Sequence, residues 1–438
     1  MPSRRGEPSS SAPRPSATAV TADGKALLAE AVATLHGNGA GSERSDSRTA
    51  QLAHQLSVTT RLDLGWSEST ITVDPHTPHS TTVTFAATPS TVQMNRVMAV
   101  DEAINGFASG RLQVSDAREA VRSAAVRRPA NIFLFAAACA VGASCLAIIF
   151  GVQEWQPLLL IAFSAAAGAF VRRGIGALGG SNFWQVAVAA LLAGVLGALA
   201  ANSDLSSTLR LAAVCPCMIL VPGPHILNGS LDLAALRIPL GLARLAFATL
   251  TLLSIGAGLL AGLALGHADL IVDPAGREIP LWLDASAAGV VAICYGIFYS
   301  APLRILAWPF AVGAAVHSLR WVALEVWHLE PYVGAGLACL ATAAILIPVS
   351  HRFQIPFSAI GFASVVSLIP GVLIFRTLAG LAELQTATGT AAQRLLISTV
   401  NDANTAWLTI FAMAIGFILP AGIYRWTRRH TSDTGVTR

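Results

Sequence analysis

The sequence predicts an α-helical polytopic membrane protein of about ten transmembrane helices, set as two inverted five-helix repeats behind an N-terminal soluble α+β domain. Three observations carry this reading. The chain of 438 residues is 54% hydrophobic and only 12% charged, with mean hydropathy +0.61, far from the usage of a soluble protein. Apolar runs recur from Asn131 to about Tyr424, whereas residues 1–128 hold much of the charge. A Pro-Gly pair interrupts an apolar run twice, at Pro222-Gly223 and Pro370-Gly371, and Leu220/Leu368, Ile226/Ile374, Leu233/Leu381, Ala234/Ala382 and Leu236/Leu384 coincide around it.

In chain order, residues 1–23 form a Ser/Pro/Ala-rich leader, expected to be disordered and lacking the apolar core of a signal peptide. Residues 24–128 read as the α+β domain. Leu27, Leu28, Val32 and Leu35 give one helical face, and Leu52 with Leu56 another. Thr60–Leu64, Ser69–Val73 and Thr81–Phe85 alternate as strands. Met94, Val97, Met98, Ile104 and Phe107 return to helical spacing, and Asp116 with Glu119 is a capping-box signal for a last helix.

Apolar runs near 131–151, 157–171, 183–201, 209–227 and 241–265 make a first repeat (129–266). Runs near 282–300, 303–318, 332–348, 355–375 and 400–424 make a second (281–425), before a tail at 426–438. Five spans is an odd number, so the second copy enters from the opposite side. With residue 128 inside, Arg127, Arg128, Arg172, Arg173, Arg237, Arg244, Arg304, Arg352, Arg425, Arg428 and Arg429 fall in the cytoplasm. Arg210, Arg277, Arg320, Arg376 and Arg394 fall outside. The bias follows the positive-inside rule and puts both termini in the cytoplasm.

Composition also excludes. A net charge of +4 with scattered basic residues argues against nucleic acid as a partner. All six cysteines lie in apolar runs, where thiols act as small hydrophobes, and Cys215-Pro216-Cys217 has no neighbours to complete a metal site. No Walker A loop, zinc-protease motif or nucleophile elbow is present, so the reading is a non-enzyme without metal or cofactor. Gly174-x-Gly176-x-x-Gly179 fits the dinucleotide fingerprint but follows an apolar span, and reads as a flexible turn. His36, His54, His76 and His79 read as ordinary surface histidines.

Duplicated, broken membrane helices are a signature of secondary transporters. A break frees backbone N–H and C=O groups that lipid cannot satisfy, so it must face protein or water. Pro222, Gly223, Pro370 and Gly371 are therefore the first candidates for a binding site. His225, Asn228 and Asp232 follow the first break at spacings that share one helix face, and ionisable groups inside a membrane are functional candidates by default. In the second copy Arg376 replaces Asn228 and Gly380 replaces Asp232, so function is expected to be asymmetric. Arg376 could pair a carboxylate-bearing solute or anchor the helix at the interface. Asp284 and Asn401-Asp402 read either as an outer polar vestibule or as helix caps.

The order of parts resembles the threonine/serine exporter family, in which a cytoplasmic domain precedes two related five-span regions. The match rests on Pro222-Gly223, Asn228, Asp232, Gly241-Leu-Ala-Arg244, Asn95-Arg-Val and the second Pro-Gly, over about residues 24–424. Leu236-Arg237 stands where the family pattern has Gly followed by a polar or acidic residue. The resemblance implies proton-driven export of threonine and serine across the plasma membrane. Its partners would be a small amino acid, protons and the lipid bilayer, with a homo-oligomer left open. Two rivals are an exporter of small dicarboxylates such as succinate, using Arg244 and Arg376, and a membrane enzyme or scaffold acting through residues 24–127.

Overall fold

In the computed structural model, which describes residues 21–201, 211–268 and 279–434, the chain is mostly helical. Residues 1–20 of the leader, Arg210, Arg277 and residues 435–438 lie outside the described residues. Helix α1 (Ala22–Gly37) starts where the Thr21 hydroxyl accepts from the Gly24 N–H at 3.2 Å, inside the segment read as leader. Helix α2 (Ser42–Gln55) leads into the antiparallel strands β1 (Thr60–Asp63), β2 (Glu68–Val73) and β3 (Thr81–Ala86). Thr60 lies opposite Val73, and Val73 opposite Thr81. Period-2 alternation puts Ser69, Ile71 and Val73 on the buried face. Helices α3 (Met94–Ala108) and α4 (Val114–Ala125) close a core of Leu27, Leu28, Leu35, Ile71, Val97 and Ile104.

The capping box does not form. Helix α4 begins two residues before Asp116, with Gln113 at its cap and no side-chain cap bond. Asp116 instead sits in the first turn, where a carboxylate still favours the positive end of the helix dipole.

Among the described residues, eight helices are long and apolar enough to cross a membrane, and ten when each of two bent pairs is one span. They are α5 (Ile132–Ile149), α6 (Trp155–Ala177), α7 (Asn182–Ala201), the pair α8 (Leu211–Met218) and α9 (Gly223–Ala234), and α10 (Ile238–Leu265). Next come α11 (Leu281–Phe298), α12 (Ala307–Glu325), α13 (Pro331–Phe353), the pair α14 (Phe357–Val365) and α15 (Gly371–Glu383), and α16 (Gly389–Thr434). Each segment expected from hydropathy holds a helix. Helix α6 runs further than expected, so Gly174 and Gly176 belong to its last turns, and the chain reverses only at Gly179, with φ +80°. At 1.5 Å per residue, the 46 residues of α16 measure about 69 Å, well beyond the thickness of one bilayer core.

Helices α7 and α10 pack along most of their lengths. Glycine permits this: a Cβ on Gly258 would lie 2.1 Å from the Ala187 carbonyl oxygen, and one on Gly262 2.2 Å from that of Leu191.

The two Pro-Gly breaks bend their helix pairs by 52° and 53°. In each, the proline is the N-cap residue and the glycine opens the second helix. They pack against one another: the nearest side chain to Gly223 is Ile369, and the nearest to Gly371 are Met218 and Val221. The carbonyl freed at the end of α8 is satisfied from α11, where the Tyr295 hydroxyl donates to Met218 O at 2.9 Å.

Residues 21–128 meet the bundle at span ends that ten crossings put on one side. The Met94 and Asn95 N–H groups donate to the Tyr299 and Ser300 carbonyls beyond α11, and an Arg44 N–H donates to the Gln354 carbonyl beyond α13. Asp46 pairs with Arg237 beyond α9, and Glu102 with Arg304 beyond α11.

Candidate functional site

Helix α9 resumes at Gly223 and carries His225, Asn228 and Asp232, all buried at 9% exposure or less. Burial of polar groups in an apolar helix is unfavourable unless they find partners, and His225 and Asp232 find theirs outside α9. The His225 Nε2–H donates to the Pro89 carbonyl at 2.9 Å, and its ring stacks obliquely on Phe247 of α10 at 4.9 Å. Asn228 Oδ1 lies against Gly41, the residue before α2, only 3.3 Å from where a Cβ would stand there. Asp232 Oδ2 is 3.2 Å from Arg244 Nε on α10, and its Oδ1 is 3.7 Å from an Arg237 nitrogen.

The two arginines extend this cluster into residues 21–128. Arg237 binds Asp46 of α2, and an Arg244 N–H points at His36 Nδ1 of α1 at 3.5 Å. The other His36 nitrogen, Nε2–H, donates to the Gly65 carbonyl at 2.9 Å, which leaves Nδ1 as the acceptor of the neutral ring. Burial, then the charge of Arg244, hold His36 down at about 4, so the ring is neutral at pH 7. Burial also raises the Asp46 carboxyl above its usual range, with Arg237 opposing. His36, expected on the surface, is wholly buried, because helix α1 packs its last turn against the strands and the Arg244 side chain.

Beside this cluster opens a cavity of about 520 Å³, a size ordinary for small-molecule sites. Asn228, Asp232 and Arg237 form one wall, and Gly41 with Ser42, Arg44, Asp46, Arg48 and Gln51 of α2 a second. Ser350 and His351 of α13 with Gln354 just after it, Phe357 and Ser358 of α14, and Phe417 and Tyr424 of α16 close it. On the α2 wall, Arg44 and Arg48 share the single carboxylate of Asp101, at 2.6 and 2.7 Å.

Of the residues singled out from the sequence, the structure brings His225, Asn228, Asp232 and Arg244 into one cluster, and Asn228 and Asp232 into the cavity wall. Pro222, Gly223, Pro370 and Gly371 do not line the cavity; they sit in the apolar packing between the two breaks. Arg376 is elsewhere, 3.0 Å from Asp402 of α16. Asp284 is 2.7 Å from His317 of α12, so neither acidic residue acts as a helix cap. Sequence reasoning missed Arg48, Asp46 and His36, which lie in a region with no motif spacing; Arg237 was visible only as a departure from the family pattern.

Residues 26–266 match a family model described as a threonine/serine exporter, and residues 284–423 match a second model of the same description. No curated protein and no solved structure matches the chain.

Proposed function

The chain belongs to the threonine/serine exporter family, and from that premise we propose that it moves threonine and serine out of the cell by secondary-active transport, coupled to protons. The observation that carries this is the buried polar wall of α9, where Asn228 and Asp232 face a cavity of about 520 Å³ between the apolar helix bundle and α2. A zwitterion needs an anionic and a cationic partner, and Asp232, paired with Arg244 and near Arg237, supplies the anionic one within this cluster. Asn228 suits the substrate hydroxyl, with both a donor and an acceptor on one amide.

In this reading residues 24–128 are a cytoplasmic domain and both termini lie in the cytoplasm of a plasma-membrane protein. Residues 129–266 and 281–425 are inverted halves, a reading supported by the matched bends of 52° and 53°. The breaks serve as paired hinges, since each glycine packs on the other break. Coupling runs through Asp232: a proton or a substrate ammonium replaces a guanidinium as its partner when the halves move. A dicarboxylate is the weaker reading, because Arg244 and Arg376 are each already held by an aspartate.

The test is uptake of labelled threonine by inside-out vesicles with an imposed proton gradient, with serine and succinate as competitors. Competition by serine and loss of uptake on collapsing the gradient are expected. Competition by succinate alone would overturn the substrate, and gradient-independent uptake would overturn the coupling.

A further inference from the structure

The α9 wall supplies a carboxylate, yet its two arginines are matched by Asp232 and Asp46, so it offers no spare cation for the carboxylate of an amino acid. The opposite wall does. Arg44 and Arg48 of α2 share only Asp101, which leaves this trio one positive charge in excess. Arg48 is 4% exposed, and its donors are partly committed: Nε–H to Asp101, and Nη1–H to Gln51 at 2.6 Å and Asn105 at 2.8 Å. Its Nη2 has no hydrogen-bond partner among the described residues. Ser42, also 4% exposed, lines the same cavity with its hydroxyl unpartnered among the described residues. Buried donors are ordinarily satisfied, and an orphaned guanidinium N–H is among the more costly to leave so. Glu43 also lines this wall and is exposed.

Resting on the amino-acid reading above, we propose that α2 is the anion-binding wall of the cavity, with the Arg48 guanidinium taking the substrate carboxylate and Ser42 Oγ as an accessory donor. Guanidinium is suited to this because its planar N–H array matches a carboxylate, and Asp101, Gln51 and Asn105 hold it in one orientation. The N-terminal region is then half of the transport site. Substrate would bridge α2 and α9, carboxylate to Arg48 and ammonium towards Asp232, and its release would part the two walls.

The experiment is equilibrium binding to the purified full chain, using threonine, threoninamide, which lacks the carboxylate, and succinate. The wild type should bind threonine at least tenfold more tightly than threoninamide. Arg48→Gln should erase that preference by weakening threonine alone, with Arg48→Lys between the two. An unchanged preference in Arg48→Gln would overturn the proposal. Should the wild type bind succinate and not threonine, the amino-acid reading fails separately, and Arg48→Gln losing succinate would still support the anion wall, whereas retaining it would not. Binding of none of the three overturns it. Should Arg48→Gln not fold, Ser47→Cys serves: Ser47 is exposed on α2 and lines the cavity. Its labelling by a charged thiol reagent, above the wild-type background, should be blocked by threonine and not by threoninamide. Equal labelling in both would count against the proposal.

Discussion

Asp232 and Arg244 meet at 3.2 Å, Oδ2 to Nε, with 4% and 2% of their side chains exposed, and so tie α9 to α10 at the end of the bundle that meets residues 21–128. Removing Asp232 takes from buried Arg244 its carboxylate partner, and removing Arg244 leaves Asp232 with only Arg237, at 3.7 Å; breaking such a buried pair costs about 3–5 kcal/mol where it has been measured. Asp232→Ala and Arg244→Ala should each lower the unfolding temperature in detergent sharply, and the double variant should be less unstable than the sum of the singles. A double-mutant cycle on thermal unfolding reads this directly, and simple additivity would show that the pair does not couple. Asp232→Asn, which keeps the shape, should still lose proton-driven export; unchanged export rate and pH dependence would remove Asp232 from the coupling.

His36 makes stability depend on acidity. Its folded pKa, about 4, is below its ordinary 6.5, so between these values the unfolded chain binds a proton that the folded chain refuses. Its contribution is therefore present above pH 6.5 and is lost as pH falls towards 4, at up to about 1.4 kcal/mol per pH unit. Unfolding followed from pH 7 to pH 4.5 should show this slope, and His36→Gln should flatten it. An equal slope in both proteins would mean that His36 does not carry the effect.

Glycine marks where helices cannot separate. Gly262→Ala forces a methyl group to within 2.2 Å of the Leu191 carbonyl, and should cost about 1–3 kcal/mol or prevent assembly of α7 on α10. Gly174→Ala, in the helical end of α6 with nothing within 4 Å, should be neutral or stabilising by up to about 1 kcal/mol. Comparing the two by melting temperature tests the packing while holding the substitution constant.

Tyr295→Phe removes one oxygen from a buried site and leaves the Met218 carbonyl at the first break with only the Val221 N–H, at 3.2 Å. A loss of about 1–3 kcal/mol is expected, with little change in helix content by circular dichroism. If the variant melts like the wild type, another group satisfies that carbonyl.

Much of the candidate site was legible. Pro222-Gly223 announced a broken helix, and the spacing of His225, Asn228 and Asp232 announced one polar face, because apolar surroundings make any polar residue conspicuous. Arg376 was harder: its partner Asp402 is on another helix, and no local pattern links α15 to α16. The expectation that the breaks themselves line a binding cavity did not anticipate that each would be covered by the other's aliphatic neighbours.

Hydropathy and periodicity by themselves determined where the helices and strands lie, and the chain's own motifs carried the repeated Pro-Gly break and the resemblance to the family, since these depend on spacings of a few residues along the chain. Only the tertiary structure decided that Asp46 and Arg48, from a polar and unremarkable stretch, line the same cavity as Asp232, and that His36 lies against Arg244. A polar residue in a polar segment carries no signal of burial; it becomes a buried charge only when a distant helix excludes its water.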